Sequence, residues 1–138
     1  MGPQEKAVRV QLGLIALALN VLLTKRIDYS GTEDPFLNFE DYYFPEDTRA
    51  KNAWKRLGDK LRRIVNTIKR GSLEGESIFT NDIPDAVNYL TGIIGPLLLA
   101  DANDPSMGEA IINYSDNIED IIKNLKERAK QLDASNAS

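Results

Sequence analysis

The 138-residue sequence predicts an all-α protein, a four-helix bundle or close variant. Apolar residues recur at intervals of three and four, and helix-ending residues stand between those stretches. A composition of 42% hydrophobic and 28% charged residues suits one compact core. The length fits a single helical domain over residues 1–138, with a frayed polar tail from Asp133 to Ser138.

The first helix is expected from about Gln4 to Lys25, with Pro3 near its start. Its apolar stretch, Ala7 to Leu23, is interrupted by Arg9, Gln11, Gly13 and Asn20, short of the roughly 18 uninterrupted residues that a membrane span needs. It lacks a small-residue cleavage site and runs into Lys25 and Arg26. The expectation is a buried central helix, no membrane and a cytoplasmic location.

The second helix is expected from about Glu46 to Arg70, with Pro45 to Asp47 suiting its start and Lys69, Arg70 and Gly71 its end. Ala50, Trp54, Leu57, Leu61, Ile64, Val65 and Ile68 form its apolar face. A third begins at Asp82, whose carboxylate suits a cap, with Pro84 in the first turn and Gly95-Pro96 as a stop or kink. The fourth opens on a Ser106/Glu109 capping box and carries Ile111, Ile112, Ile118, Ile121, Ile122, Leu125, Ala129 and Leu132.

Between the first two helices lies a long loop, Ile27 to Pro45, rich in acids and aromatics. Through the start of the next helix it brings seven acids, from Asp28 to Asp47, and it holds six of the ten aromatics: Tyr29, Phe36, Phe39, Tyr42, Tyr43 and Phe44. The second helix is its electrical opposite: nine of the seventeen Lys and Arg residues fall between Arg49 and Arg70, against one acid, Asp59. Such a helix attracts phosphates or an acidic partner surface, or is a solvated face that the loop neutralises. A net charge of −4 argues against nucleic acid as the partner. For the aromatics, packing over the bundle and stacking on a ligand ring both stay open.

No cysteine or histidine is present, which excludes thiol and imidazole catalysis, disulfides, and zinc or haem held by those side chains. The carboxylate pair Asp82/Asp85, three residues apart and between Glu76 and Asn88, offers oxygen ligands to Mg²⁺. Capping and dipole compensation explain the same pair.

Three blocks carry a resemblance. They are Lys25-Arg26-Ile27-Asp28-Tyr29-Ser30-Gly31 with Asp34-Pro35-Phe36-Leu37-Asn38-Phe39; Gly58-Asp59-Lys60-Leu61-Arg62-Arg63-Ile64-Val65-Asn66; and Glu76-Ser77-Ile78 with Asp82-Ile83-Pro84-Asp85-Ala86-Val87-Asn88-Tyr89. In this order they resemble a phage-type nucleotide-modification-associated domain, itself similar to the all-helical MazG-like nucleotide pyrophosphohydrolases. The resemblance implies a phage-encoded protein of the host cytosol that binds or processes a nucleotide. It implies Mg²⁺ held by Glu76, Asp82 and Asp85, phosphate contacts from Lys60 and Arg63, and a pocket wall of Asp28 and Tyr29. The stacking reading adds Phe36 to the ligand contacts. Neither the Glu-x-x-Glu nor the Glu-x-x-Asp pair of MazG-like hydrolases occurs, so turnover stays open and no catalytic residue is assigned. The alternative is a non-enzymatic interaction protein that inhibits or sequesters a component of a host enzyme or defence system. A homodimer through a helical face is a further expectation.

Overall fold

The computed structural model describes residues 1–25, 36, 39–40, 44, 46–71, 73 and 77–137. All regular structure among them is helical: α1 (Pro3–Lys25), α2 (Arg49–Arg70), α3 (Ile78–Ala102), α4 (Pro105–Asp116) and α5 (Ile118–Ala137). The expected fourth helix divides at Asn117, so five helices are described where four were expected. Two compact units result, Met1–Leu14 with Asn103–Ser138, and Ile15–Ala102.

In the second unit, α2 starts three residues later than expected. Thr48 is its N-cap, its hydroxyl accepting from the Lys51 N–H at 3.1 Å, while Gly71 closes the other end with φ 75° and donates to Ile68. Asp47 instead reaches Lys51 and Lys55 at 3.4 and 3.5 Å.

α3 departs most from expectation. It begins at Ile78, not Asp82, and passes both prolines to end at Ala102. The reason lies in two π-helical turns, Ile78–Asp82 and Tyr89–Ile94, each directly preceding an α-helical segment that has proline second. The N–H groups of Ile83 and Gly95, immediately before Pro84 and Pro96, reach back five residues to Ile78 and Leu90. A proline brings no N–H and its ring crowds the carbonyl four residues back; a widened turn relieves that crowding and lets the helix continue. Gly95 fits the same requirement, because a Cβ there would stand 3.0 Å from the Leu90 carbonyl oxygen.

α2 packs along all four segments of α3. Between them Phe39, only 1% exposed, joins Ala53, Leu57 and Ile94 in a core flanked by Phe36, Ala86, Tyr89 and Ile93. Phe39 meets Tyr89 edge-on at 6.2 Å and carries the Arg56 guanidinium 4.8 Å from its ring centre. The Asn52 amide donates to its carbonyl at 2.9 Å. Removing its ring from water contributes about 2–3 kcal/mol, which fastens this part of the aromatic segment to the core. Phe44, by contrast, is exposed.

α1 is not the buried central helix expected. Among its residues of described burial only Ala18 is buried, and Val10, Ile15, Leu19 and Leu23 are exposed. Pro3–Leu23 and Ile78–Ala102 are both long and apolar enough to cross a membrane. Within the second unit, the buried Asn88 amide donates to the Ala18 carbonyl at 2.9 Å, while its Oδ1 has no partner among the described residues.

In the first unit, the tail is no frayed end. α5 runs to Ala137, and the Asp133 carboxylate accepts the N–H groups of Gln4 and Glu5 at 2.9 Å each, capping the start of α1. A Cβ on Gly2 would collide with that carboxylate. The expected capping box gives way to Asp104, the N-cap of α4, which accepts from the Met107 N–H and the Ser106 hydroxyl. Ala129 is buried, whereas Ile111, Ile112, Ile118, Ile121, Leu125 and Leu132 of the expected stripe are exposed, since this unit has little besides α4, α5 and the first turns of α1 to cover them.

Asp133→Ala is expected to cost about 1 kcal/mol, as loss of a helix cap does, and to accelerate amide hydrogen exchange at Gln4 and Glu5. Unchanged exchange there would refute the capping role. The Ser106 hydroxyl, then the Met107 N–H, holds the Asp104 carboxyl below its ordinary value. The stabilisation is therefore full above the ordinary carboxylate range and fades as pH falls through the folded-state value. Carboxyl NMR should find Asp104 titrating below the ordinary aspartate value and moving upward in Ser106→Ala.

Candidate functional site

The sequence-derived candidates that the structure describes converge on the face between α2 and α3. Lys60 and Arg63 stand three residues apart on α2; Asp82 and Asp85 stand three apart on α3, a spacing that sets side chains beside one another. The helices run antiparallel, so Arg63 meets Asp82 (Nη2–Oδ1 2.7 Å) and Lys60 meets Asp85 (Nζ–Oδ2 3.1 Å). The proposed phosphate contacts and metal-side carboxylates thus pair with each other. Asp82 stands at the N-cap position of the α-helical stretch from Ile83, but its carboxylate makes no capping bond, contrary to expectation; its N–H meets the Ser77 carbonyl at 3.3 Å and its carboxylate goes to Arg63.

Asp28, Tyr29 and Glu76, the remaining ligand and metal candidates, lie outside the described residues. Phe36 packs against the Phe39 core. No group of three or more acidic side chains with metal-holding geometry occurs among the described residues.

Beside the Arg63–Asp82 pair opens a polar groove of about 360 Å³, lined by Arg63, Asn66, Thr67, Arg70, Ser77, Asn81 and Asp82. Its floor is fixed by local bonds. The buried Thr67 donates its hydroxyl proton to the Arg63 carbonyl at 2.9 Å and accepts from Arg70 Nη2 at 3.2 Å. Asp82 is buried while the Arg63 side chain remains 53% exposed, so the guanidinium both satisfies the carboxylate and presents N–H groups to the groove. Two guanidiniums, two amides and two hydroxyls around one opening, with the one lining carboxylate, Asp82, bonded to Arg63, suit an anion with several oxygens.

Sequence reasoning identified Arg63 and Asp82 but missed Asn66, Thr67, Arg70, Ser77 and Asn81 as one group. The signal available was helical spacing: Arg63, Asn66, Thr67 and Arg70 follow intervals of three, one and three along one face of α2. What spacing does not supply is the early start of α3, which brings Ser77 and Asn81 opposite them.

Comparisons with models of known families, with curated proteins and with solved structures returned no match to this chain.

Asp82→Asn is expected to destabilise the protein to urea by about 1–3 kcal/mol, the cost of weakening a charge-assisted bond at a buried acceptor. The exposure of Arg63 places the effect toward the lower end. Asp85→Asn should act in the same direction. A neutral or stabilising Asp82→Asn would mean that the carboxylate does not serve the fold.

Proposed function

We propose that this chain is a nucleotide-binding protein that takes the phosphate end of its ligand into the groove between α2 and the first turn of α3. The observation that carries the reading is the convergence of Arg63 and Arg70 with Asn66, Ser77 and Asn81 on one opening. Guanidinium groups recognise phosphate through paired N–H donors, and the amides and hydroxyl supply neutral hydrogen bonds around them. The choice of a nucleotide over other phosphate-bearing molecules, a phage origin and a cytoplasmic site of action rest on the sequence resemblance.

Binding without turnover is the form of this function that the pairing favours. Asp82 and Asp85 are each neutralised by a cation of α2, whereas carboxylates holding a catalytic metal direct their oxygens at the ion. A Mg²⁺ contribution would come with the ligand's phosphates and engage Asp82 or Asp85 only by displacing Arg63 or Lys60.

Calorimetric titration with nucleoside mono-, di- and triphosphates, with and without Mg²⁺, tests the proposal. Micromolar binding that weakens at least tenfold in Arg70→Ala and in Asn81→Ala is expected, with no pyrophosphate released. A flat titration across the panel removes the reading, and pyrophosphate release removes its non-catalytic form.

A further inference from the structure

The other edge of α2 carries a second surface. Trp54, Leu61, Val65 and Ile68 are 55%, 39%, 46% and 61% exposed, although all belong to the apolar pattern that the sequence assigns to a buried face. With Gly58 they follow intervals of four, three, four and three, a straight seam along the helix. A Cβ on Gly58 would meet nothing within 4 Å, so the seam has a shallow notch near its N-terminal end. From Trp54 to Ile68 it spans about 21 Å, roughly four helical turns.

The charges beside this seam are one-sided. Lys51, Lys55, Arg62 and Lys69, at intervals of four, seven and seven, form a ridge along one edge. Lys60 and Arg63 lie beyond the other edge, paired with α3. The ridge's acidic contacts are weak: Asp47 is shared by Lys51 and Lys55 at 3.4 and 3.5 Å, and Asp59 reaches Arg62 at 3.8 Å with both side chains about three-quarters exposed.

We propose that this seam docks an amphipathic helix of another protein whose apolar stripe is bordered by glutamate or aspartate. An apolar line of helical pitch with a notch takes a helix in the manner of a groove, and the ridge selects an acidic edge and the orientation in which it lies. A second copy fits poorly. Antiparallel α2–α2 pairing across a two-fold sets both basic ridges on the same side, and parallel pairing drives each ridge toward the edge already covered by α3. The inference uses no residue of the polar groove and does not depend on the nucleotide reading.

Trp54 is the only tryptophan of the chain, so its emission reports on this surface alone. The probe is a tryptophan-free 18-residue helical peptide with leucine at alternating third and fourth positions and glutamate along its edges; its control replaces each glutamate with lysine. A saturable blue shift with the glutamate peptide and none with the lysine peptide is expected. Affinity should fall at least tenfold in Val65→Asp and in the doubly charge-reversed Arg62→Glu/Lys69→Glu, with circular dichroism unchanged. The double variant alters only exposed side chains and keeps the test valid should Val65→Asp misfold. Equal shifts from both peptides, or no shift from either, overturn the proposal. A shift produced by protein concentration alone, with a dimer in sedimentation, assigns the seam to a second copy. A shift on anionic phosphatidylserine vesicles without one on the glutamate peptide assigns it to lipid.

Discussion

The arrangement of the second unit depends on how one helix gets past two prolines. Pro84 and Pro96 each lack the N–H that an α-helix needs at that position, and each follows the residue, Ile83 or Gly95, whose N–H closes a π turn five residues back. Each π turn also adds a residue to its loop and so rotates everything beyond it relative to an uninterrupted α-helix. That phase aims Asp82 and Asp85 at α2, Asn88 at the Ala18 carbonyl and Ile94 into the core around Phe39. Asp82, Asp85 and Asn88 keep α-helical spacing among themselves, and the second widening sets the phase of Ile94 and the segment after it relative to them.

Charge then fixes how α2 lies on α3. Two ion pairs with matching three-residue spacing on antiparallel helices hold a single register, because sliding by one residue separates both pairs at once. Apolar contacts around Ala53 and Leu57 provide most of the attraction, being non-directional and proportional to area. The pairs add specificity at modest net energy, since Lys60 and Arg63 keep part of their side chains in water. The same pairs explain why the basic character of α2 is not uniform: one edge is neutralised by α3, and the other faces outward.

Much of this was legible in the residues. The existence of the helices, the C-cap at Gly71 and the placing of Asp82 beside Asp85 follow from helical spacing and end signals, whereas the resemblance named Lys60 and Arg63 as phosphate contacts and not as the partners of those carboxylates. Proline and glycine read as punctuation did not predict α3, because a stop signal and a π turn look alike when only α-helical geometry is considered. Asp82 beside Pro84 has every local feature of a cap, and only the partner helix reveals that its carboxylate is engaged from the side. Asp133 is the mirror case: a residue in a polar tail caps a helix 128 positions away, a relation that local sequence does not encode. Periodicity likewise identified the apolar face of α2 without saying how much of it neighbours cover, and Trp54, Val65 and Ile68 remain outside the core.

The division of α2 into two edges would keep the two proposed kinds of binding apart on one element. Arg63, Asn66, Thr67 and Arg70 belong to the groove shared with α3, whereas Trp54, Leu61, Val65 and Ile68 belong to the seam, and no residue serves both. A ligand in the groove meets side chains already held by Asp82 and Thr67, so little ordering is required of them on binding. A helix on the seam meets exposed apolar groups whose removal from water supplies the attraction, with the ridge setting direction. Small polar recognition and large apolar recognition draw on different physics, and the two proposals place them on separate edges of one helix, where neither would compete for the other's side chains.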